Sequence, residues 1–199
     1  MKEKIASLLQ REIDAIRNLP IDDTISGAVD LLFQQVHVEG GKIVVSGMGK
    51  AGQIGQTIAT TFSSTGSPAV FLHPSEAQHG DLGLLQANDI LLILSNSGKT
   101  TEILLLIELV KGLYPDLPVI CITGHPRNSL GQLSTLALGI GEPVEICPLG
   151  LTPTTSTTVM TVLGDVIVVL LMERIAFTRA DYSKRHHSGY LGKKSRERG

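Results

Sequence analysis

The stretch Ser95-Asn96-Ser97-Gly98-Lys99-Thr100-Thr101-Glu102 gathers four hydroxyls, an amide and a glycine in one short turn. The run before it, Ile90 to Leu94, reads as a buried strand, and Glu102 to Leu113 reads as a helix. Backbone N–H groups at a helix start are unpaired and favour an anion, and serine and threonine hydroxyls add donors. A phosphate fits such a cup best. An ordinary N-cap also favours Ser or Thr, but it needs one such residue, and this turn has four.

Three other stretches carry reactive side chains. Gly47-Met48-Gly49-Lys50-Ala51-Gly52 follows an apolar run and matches GxGxxG. A dinucleotide site would also need an acid about 20 positions on, at the end of the second strand. That strand ends Phe71-Leu72-His73-Pro74, and the first acid after it is Glu76, beyond a proline. Lys50 suits a sugar hydroxyl, an enediolate oxygen or a phosphate better than a dinucleotide backbone turn, so the dinucleotide reading is set aside. Gly98-Lys99-Thr100 resembles the end of a P-loop, but Ile93 stands where that motif needs its first glycine, which excludes a nucleoside triphosphatase.

His73 to Gly83 holds two histidines and two acids. No pair there has the helical i, i+4 spacing of a zinc protease. His79 stands out as a titratable group at the end of a strand. Glu145 to Thr158 reads EICPLGLTPTTSTT, and seven residues from Thr152 to Thr161 are Ser or Thr. Helix capping and hydroxyls bonded back along a helix account for most of them. They do not account for Glu145. Finally, His186-His187-Ser188-Gly189 follows the last expected helix, where a mobile C-terminal segment would close over a site.

These turns need a frame that brings them together. Residues 3–18 place Ile5, Leu8, Leu9, Ile13 and Ile16 at helical spacing, and Asp22 or Asp23 caps a second helix. Strands are expected at Lys42–Ser46, Pro68–Leu72, Asp89–Leu94, Leu117–Thr123 and Leu136–Ile140. Helices are expected over Ala51–Ser63, Glu102–Leu113, Ser129–Leu133 and Thr154–Phe177, and 73–83 reads as a long polar loop. Short aliphatic strands alternating with helices predict a three-layer α/β sandwich around a five-stranded parallel sheet. Ligands in such folds bind beyond the C-terminal strand ends, which is where the polar turns fall.

The 199 residues suit a single domain: N-terminal helices over 1–40, an α/β core over 41–180 and a C-terminal segment over 181–199. Charged residues make up 18% of the chain, below the usual ~25%, and hydrophobic residues 42%, a balance that favours burial between subunits. A net charge of −2 gives no electrostatic case for nucleic acid. Cys121 and Cys147 form neither a zinc cluster nor a disulfide framework. The N-terminus has no signal-peptide pattern, and Val159 to Met172 is too short to span a bilayer and contains Asp165, so no membrane role is expected and a cytoplasmic location is. The C-terminal run Lys184, Arg185, Lys193, Lys194, Arg196 and Arg198 reads as a solvated tail.

The motifs SGMGKAG at 46–52, HPSEAQHGDLG at 73–83, SNSGKTTEI at 95–103, EICPLGLTPTTSTT at 145–158 and HHSGYLG at 186–192 occur in one order. Through them the chain resembles the sugar-isomerase (SIS) domain and, within it, the D-arabinose 5-phosphate isomerases. HGDLG and CPLGLTPTTSTT are the discriminating pieces. The chain stops just after GYLG and so resembles the short form without CBS domains. The family's terminal motif usually reads His-Pro-Gly-Gly, where this chain has His186-His187-Ser188-Gly189, and His186 is the better match.

The resemblance implies interconversion of D-ribulose 5-phosphate and D-arabinose 5-phosphate through an enediol, the entry to Kdo. The family's catalytic positions fall on Lys50, His79, Glu102, Glu145 and His186, with Glu102 or Glu145 as the carbon base. Ser46, Gly47, Gly49, Ser95, Asn96, Ser97, Gly98 and Thr100 would hold the substrate and its phosphate. The resemblance further implies a homotetramer whose neighbours supply site residues. No cofactor or metal is required, although His79 offers an inhibitory zinc contact. Kdo or CMP-Kdo is the expected feedback ligand. The rival readings are isomerisation of another ketose phosphate and a non-catalytic sugar-phosphate sensor.

Overall fold

Five short aliphatic strands form one parallel sheet in the order β2-β1-β3-β4-β5: β1 (Ile43–Gly47), β2 (Ala69–Phe71), β3 (Ile90–Leu94), β4 (Val119–Thr123) and β5 (Leu136–Gly139). The computed structural model describes residues 1–196, so Arg198 of the basic tail lies outside it. β1 pairs with β3 from Ile43↔Ile90 to Gly47↔Leu94. β1, β3 and β4 are buried along their whole length, as expected of a parallel sheet covered on both faces.

The two-residue period of the strands divides the core. Val45, Leu92, Leu94 and Ile122 face α2 (Asp23–Phe33), α3 (Gly49–Ser64) and α7 (Thr155–Arg174). Val44, Leu91, Ile93 and Cys121 face the other layer, which includes α5 (Thr101–Leu113) and α6 (Ser129–Leu133). The N-terminal helices belong to the fold. Ala28, Val29 and Leu32 of α2 enter the first core, and Ala15 and Ile16 of α1 (Lys2–Arg17) pack against its edge.

The glycines of the first turn set helix–sheet distance. A Cβ on Gly52 would lie 2.5 Å from the Gly47 carbonyl oxygen, and one on Gly55 would press on Phe71 and Val45 at 3.3 Å. The GxGxxG pattern thus has a packing cause, and Gly49 alone of its three glycines takes a positive φ, +59°.

Three expectations need correction. Residues 73–83 are not a loop: Pro74–Ala77 forms the short helix α4, and Asp81–Leu84 forms a 3₁₀ turn. The C-terminal segment is helical, with α8 (Arg179–Arg185) and α9 (Gly189–Arg196). α8 begins in a capping box in which Thr178 and Asp181 exchange hydrogen bonds, a signal legible in the sequence. The apolar segment before it lies within the expected helix, α7, whose 20 residues, with a mean hydropathy of 1.8 over an 18-residue window, are long and apolar enough to cross a bilayer. One stripe of α7, including Val159, Leu163, Ile167 and Leu171, is buried in the first core, while Val166 and Val169 remain exposed. It is a half-covered core helix.

Candidate active site

β1 and β3 lie side by side, but their chains leave to opposite faces, β1 through α3 to β2 and β3 through α5 to β4. Such a switch point opens a crevice at the strand ends. A cleft of about 220 Å³ lies there, walled by Met48, Lys50, Ser95–Ser97, Thr100, Pro153, Ser156 and Thr157. It joins the ends of β1 and β3 to the start of α7, three stretches far apart in the chain.

The 95–100 turn is fixed from behind. Gly98 adopts φ +61°, and a Cβ there would fall 2.1 Å from the Asn128 side chain. Asn128 Nδ2 donates to the Ser97 carbonyl at 3.1 Å and to Thr123 Oγ1 at 2.8 Å, while its Oδ1 accepts from Gly131 N–H at 2.9 Å. The Asn96 carbonyl accepts from Gly124 N–H at 3.0 Å and from Thr123 Oγ1 at 3.2 Å. Residue reasoning missed Asn128, although an Asn before a short helix is a readable N-cap signal. Among the described residues no side chain caps α5, and at its start Ser95 Oγ lies 3.5 Å from Thr100 Oγ1 in the cleft wall. Asn96 and Ser97 are exposed at the rim, and the Ser97 hydroxyl accepts from Lys99 N–H at 3.2 Å. Ser46 is elsewhere. It is fully buried and donates to the Leu72 carbonyl at 2.7 Å, tying β1 to the end of β2 instead of facing a ligand.

Of the five acid–base candidates, Lys50 alone lines the cleft. Its side chain is exposed and has no ion-pair partner among the described residues. Glu102 sits in the first turn of α5, half-buried, and its carboxylate makes no hydrogen bond among the described residues.

Glu145 is the opposite case. One carboxylate oxygen accepts from Thr154 N–H at 2.7 Å, Thr154 Oγ1 at 2.8 Å and Ser156 N–H at 3.3 Å, and the other accepts from the Ser156 hydroxyl. Burial pushes its pKa up, but the hydrogen bonds from Ser156 and Thr154 outweigh burial and hold it below the usual value. Glu145 therefore caps α7, which is the role the sequence seemed to deny it. It reaches the cleft through Ser156.

The two histidines lie off the cleft. His79 is exposed, between α4 and Gly80 at φ +120°. His186 ends α8, stacked on Tyr182 with 3.7 Å between ring centroids, its Nδ1 3.1 Å from the Tyr182 carbonyl. A carbonyl only accepts, so Nδ1 is the donor, and Nε2 makes no hydrogen bond among the described residues. Among the described residues His187 makes no such bond, and it is exposed, which separates the pair. Cys147 precedes the same α7 start. Hydrogen bonds from the Thr152 hydroxyl, then from the backbone of Thr152, Leu149 and Leu151, lower its pKa to about 6. No cluster of three His, Cys, Asp or Glu side chains suited to a metal occurs among the described residues.

A SIS domain is matched over residues 38–170. Arabinose 5-phosphate isomerase KdsD of Yersinia pestis is 44% identical over 189 residues, covering 94% of this chain and 56% of that protein. The protein of the same name from Escherichia coli K12 is 47% identical over 154 residues, covering 77% of this chain and 46% of that one. The chain thus spans about half the length of these curated relatives. Among solved structures, a Bacteroides fragilis protein proposed as a phosphosugar isomerase involved in capsule formation superposes with a TM-score of 0.94 at 58% identity, covering 96% of this chain and 99% of that one. An Escherichia coli protein in complex with arabinose 5-phosphate superposes at 0.82 with 36% identity, covering 92% and 95%.

Proposed function

The chain belongs to the SIS-domain family, and from that premise we propose that it interconverts D-ribulose 5-phosphate and D-arabinose 5-phosphate through an enediol, the first step of Kdo biosynthesis. One observation carries the reading: a hydroxyl-rich helix start and a lysine, neither capped nor paired among the described residues, share one small cleft. The phosphate sits on the α5 start among Ser95, Asn96, Ser97, Gly98 and Thr100, where backbone donors and helix dipole favour an anion. That anchor fixes the reacting carbons, a positioning effect.

A base takes the proton from C1 of the ketose while O2 gains one, and the enediol then takes a proton at C2 while O1 loses its own. Glu102 suits the base, since its carboxylate is free, whereas that of Glu145 is filled with hydrogen bonds. Lys50 stabilises the enediolate. Nε2 of His186 suits proton exchange at oxygen or ring opening. Because neither His79 nor His186 lines the cleft of its own chain, a neighbouring subunit of a homotetramer supplies them. The enzyme needs no metal, though His79 offers zinc an inhibitory contact. Two free thiols, one of them buried, suit a cytoplasmic setting.

D-ribulose 5-phosphate incubated with the protein in deuterated buffer should give new aldose signals and deuterium at C2 by proton NMR. Binding without exchange would leave a sensor. Glu102→Gln should cut kcat by about 10²–10⁴-fold with inorganic phosphate still binding, and near-normal turnover would remove it as the base. Kdo or CMP-Kdo at the cleft mouth is the proposed feedback ligand, and calorimetry without heat at millimolar concentration would end that part.

A further inference from the structure

We propose that α1, which lies outside the matched SIS range, positions the far wall of the active site, with Arg11 and Glu12 as positioning residues. The proposal rests on the isomerase reading of the cleft.

α1 is a poor core element, because none of its residues is buried. Its polar contacts are nonetheless concentrated. Among the described residues, both of its side-chain hydrogen bonds to other elements go to the stretch from Glu145 to Thr155. Arg11 Nη2 donates to the Glu145 carbonyl at 2.8 Å, and Glu12 Oε1 accepts from the Thr155 hydroxyl at 2.7 Å. Thr155 is fully buried, and its oxygen in turn accepts from Ile146 N–H at 3.1 Å.

The result is an alternating grip. Glu145 holds Thr154 and Ser156 from one side, and Glu12 holds Thr155 between them from the other. Ser156 and Thr157 are cleft wall. α1 therefore reaches the cleft wall by two contacts: Glu12 holds Thr155, which in turn bonds Ile146, and Arg11 holds the Glu145 carbonyl. The other Glu12 oxygen is buried with no partner among the described residues. A buried acceptor left unpaired is destabilising. Stability alone gives no reason to keep a carboxylate there, while holding Thr155 in place does.

Glu12→Ala removes the acceptor, and a misplacement of about 1 Å far from the chemistry can cost ~100-fold. Glu12→Ala should therefore lower kcat about 10- to 100-fold, with the Kd for inorganic phosphate unchanged, since the α5 cup is tied separately to Asn128. Glu12→Gln keeps a side-chain oxygen at the same reach and should restore most of kcat. A merely structural role would lower both variants together or weaken phosphate binding. Wild-type kcat in Glu12→Ala, or equal losses in the two variants, would overturn the proposal. Amide hydrogen exchange supplies a readout independent of substrate. In Glu12→Ala the amides of Ile146, Thr154 and Ser156 should exchange faster while those of Ser97 to Glu102 do not change, and unchanged exchange at the first three would also overturn it. A wild-type protein inactive on D-ribulose 5-phosphate would sink the isomerase reading alone and leave the exchange result to decide the role of α1.

Discussion

The starts of α5 and α7 bound the same cleft and are treated in opposite ways. α5 has hydroxyls on its approach but no side chain on its first N–H groups. α7 has its own hydroxyls, yet Glu145 from nine residues earlier occupies those of Thr154 and Ser156 together with their N–H groups. Both ends carry the partial positive charge of a helix N-terminus. One is satisfied by the protein's own anion and one is left for a ligand's. In the proposed reaction this leaves the substrate phosphate a single end at which to sit, which would set the substrate's orientation. The supports differ too. The α5 start is pinned to the neighbouring β4–α6 turn through Asn128, and the α7 start is gripped by a carboxylate and by α1.

The sharpest way to break the contrast is to close the open end. Gly98→Ala puts a Cβ into Asn128 at a φ that favours glycine, and phosphate affinity in calorimetry should fall at least ~100-fold. Next, Glu145→Gln should leave phosphate affinity alone but cost about 2 kcal/mol of stability, a Tm drop of roughly 4–8 °C. The pKa of Glu145 is depressed in the fold, so its contribution is full above the ordinary carboxyl value of 4.5 and fades as pH falls through the lower folded value. The Tm gap between wild type and variant should therefore shrink below pH 4.5, and a gap constant with pH would deny the carboxylate this role. Asn128→Ala comes third. It should raise KM about 3- to 10-fold while costing about 1–2 kcal/mol in urea unfolding. The smallest effect sharpens the picture of a loop before α7 that gathers anions. Iodoacetamide should modify Cys147 in the folded protein at a rate that falls as pH drops through about 6, while buried Cys121, whose pKa burial raises, stays unmodified.

The parallel sheet was legible because Ile90–Leu94 and its companions are continuous aliphatic runs between polar turns. The hydroxyl-rich turn before α5 was legible because Ser95, Ser97, Thr100 and Thr101 crowd into seven residues after an apolar run. What stayed hidden was long-range. Ser46 looks like a turn donor until Leu72, 26 residues on, takes its hydrogen bond. Asn128 is 31 residues from Ser97, and nothing local links them. Glu145 looked free because its partners arrive only when α7 folds back. The short helices α4 and α8 were readable from Pro74 and from the Thr178–Asp181 box, but flanking polar residues outweighed them.

The bond between Glu12 and Thr155 joins residues 143 positions apart. A ribosome adding 5–20 residues per second needs roughly 7–30 s to travel that distance. During that interval α1 has emerged with Ile5, Leu9 and Ile13 on its surface and nothing for its polar latch to hold. The strands of the sheet are complete before α7 exists. A nascent chain halted before Thr155 would thus carry a finished α5 start facing a missing wall, and the cleft closes only once α7 has been made.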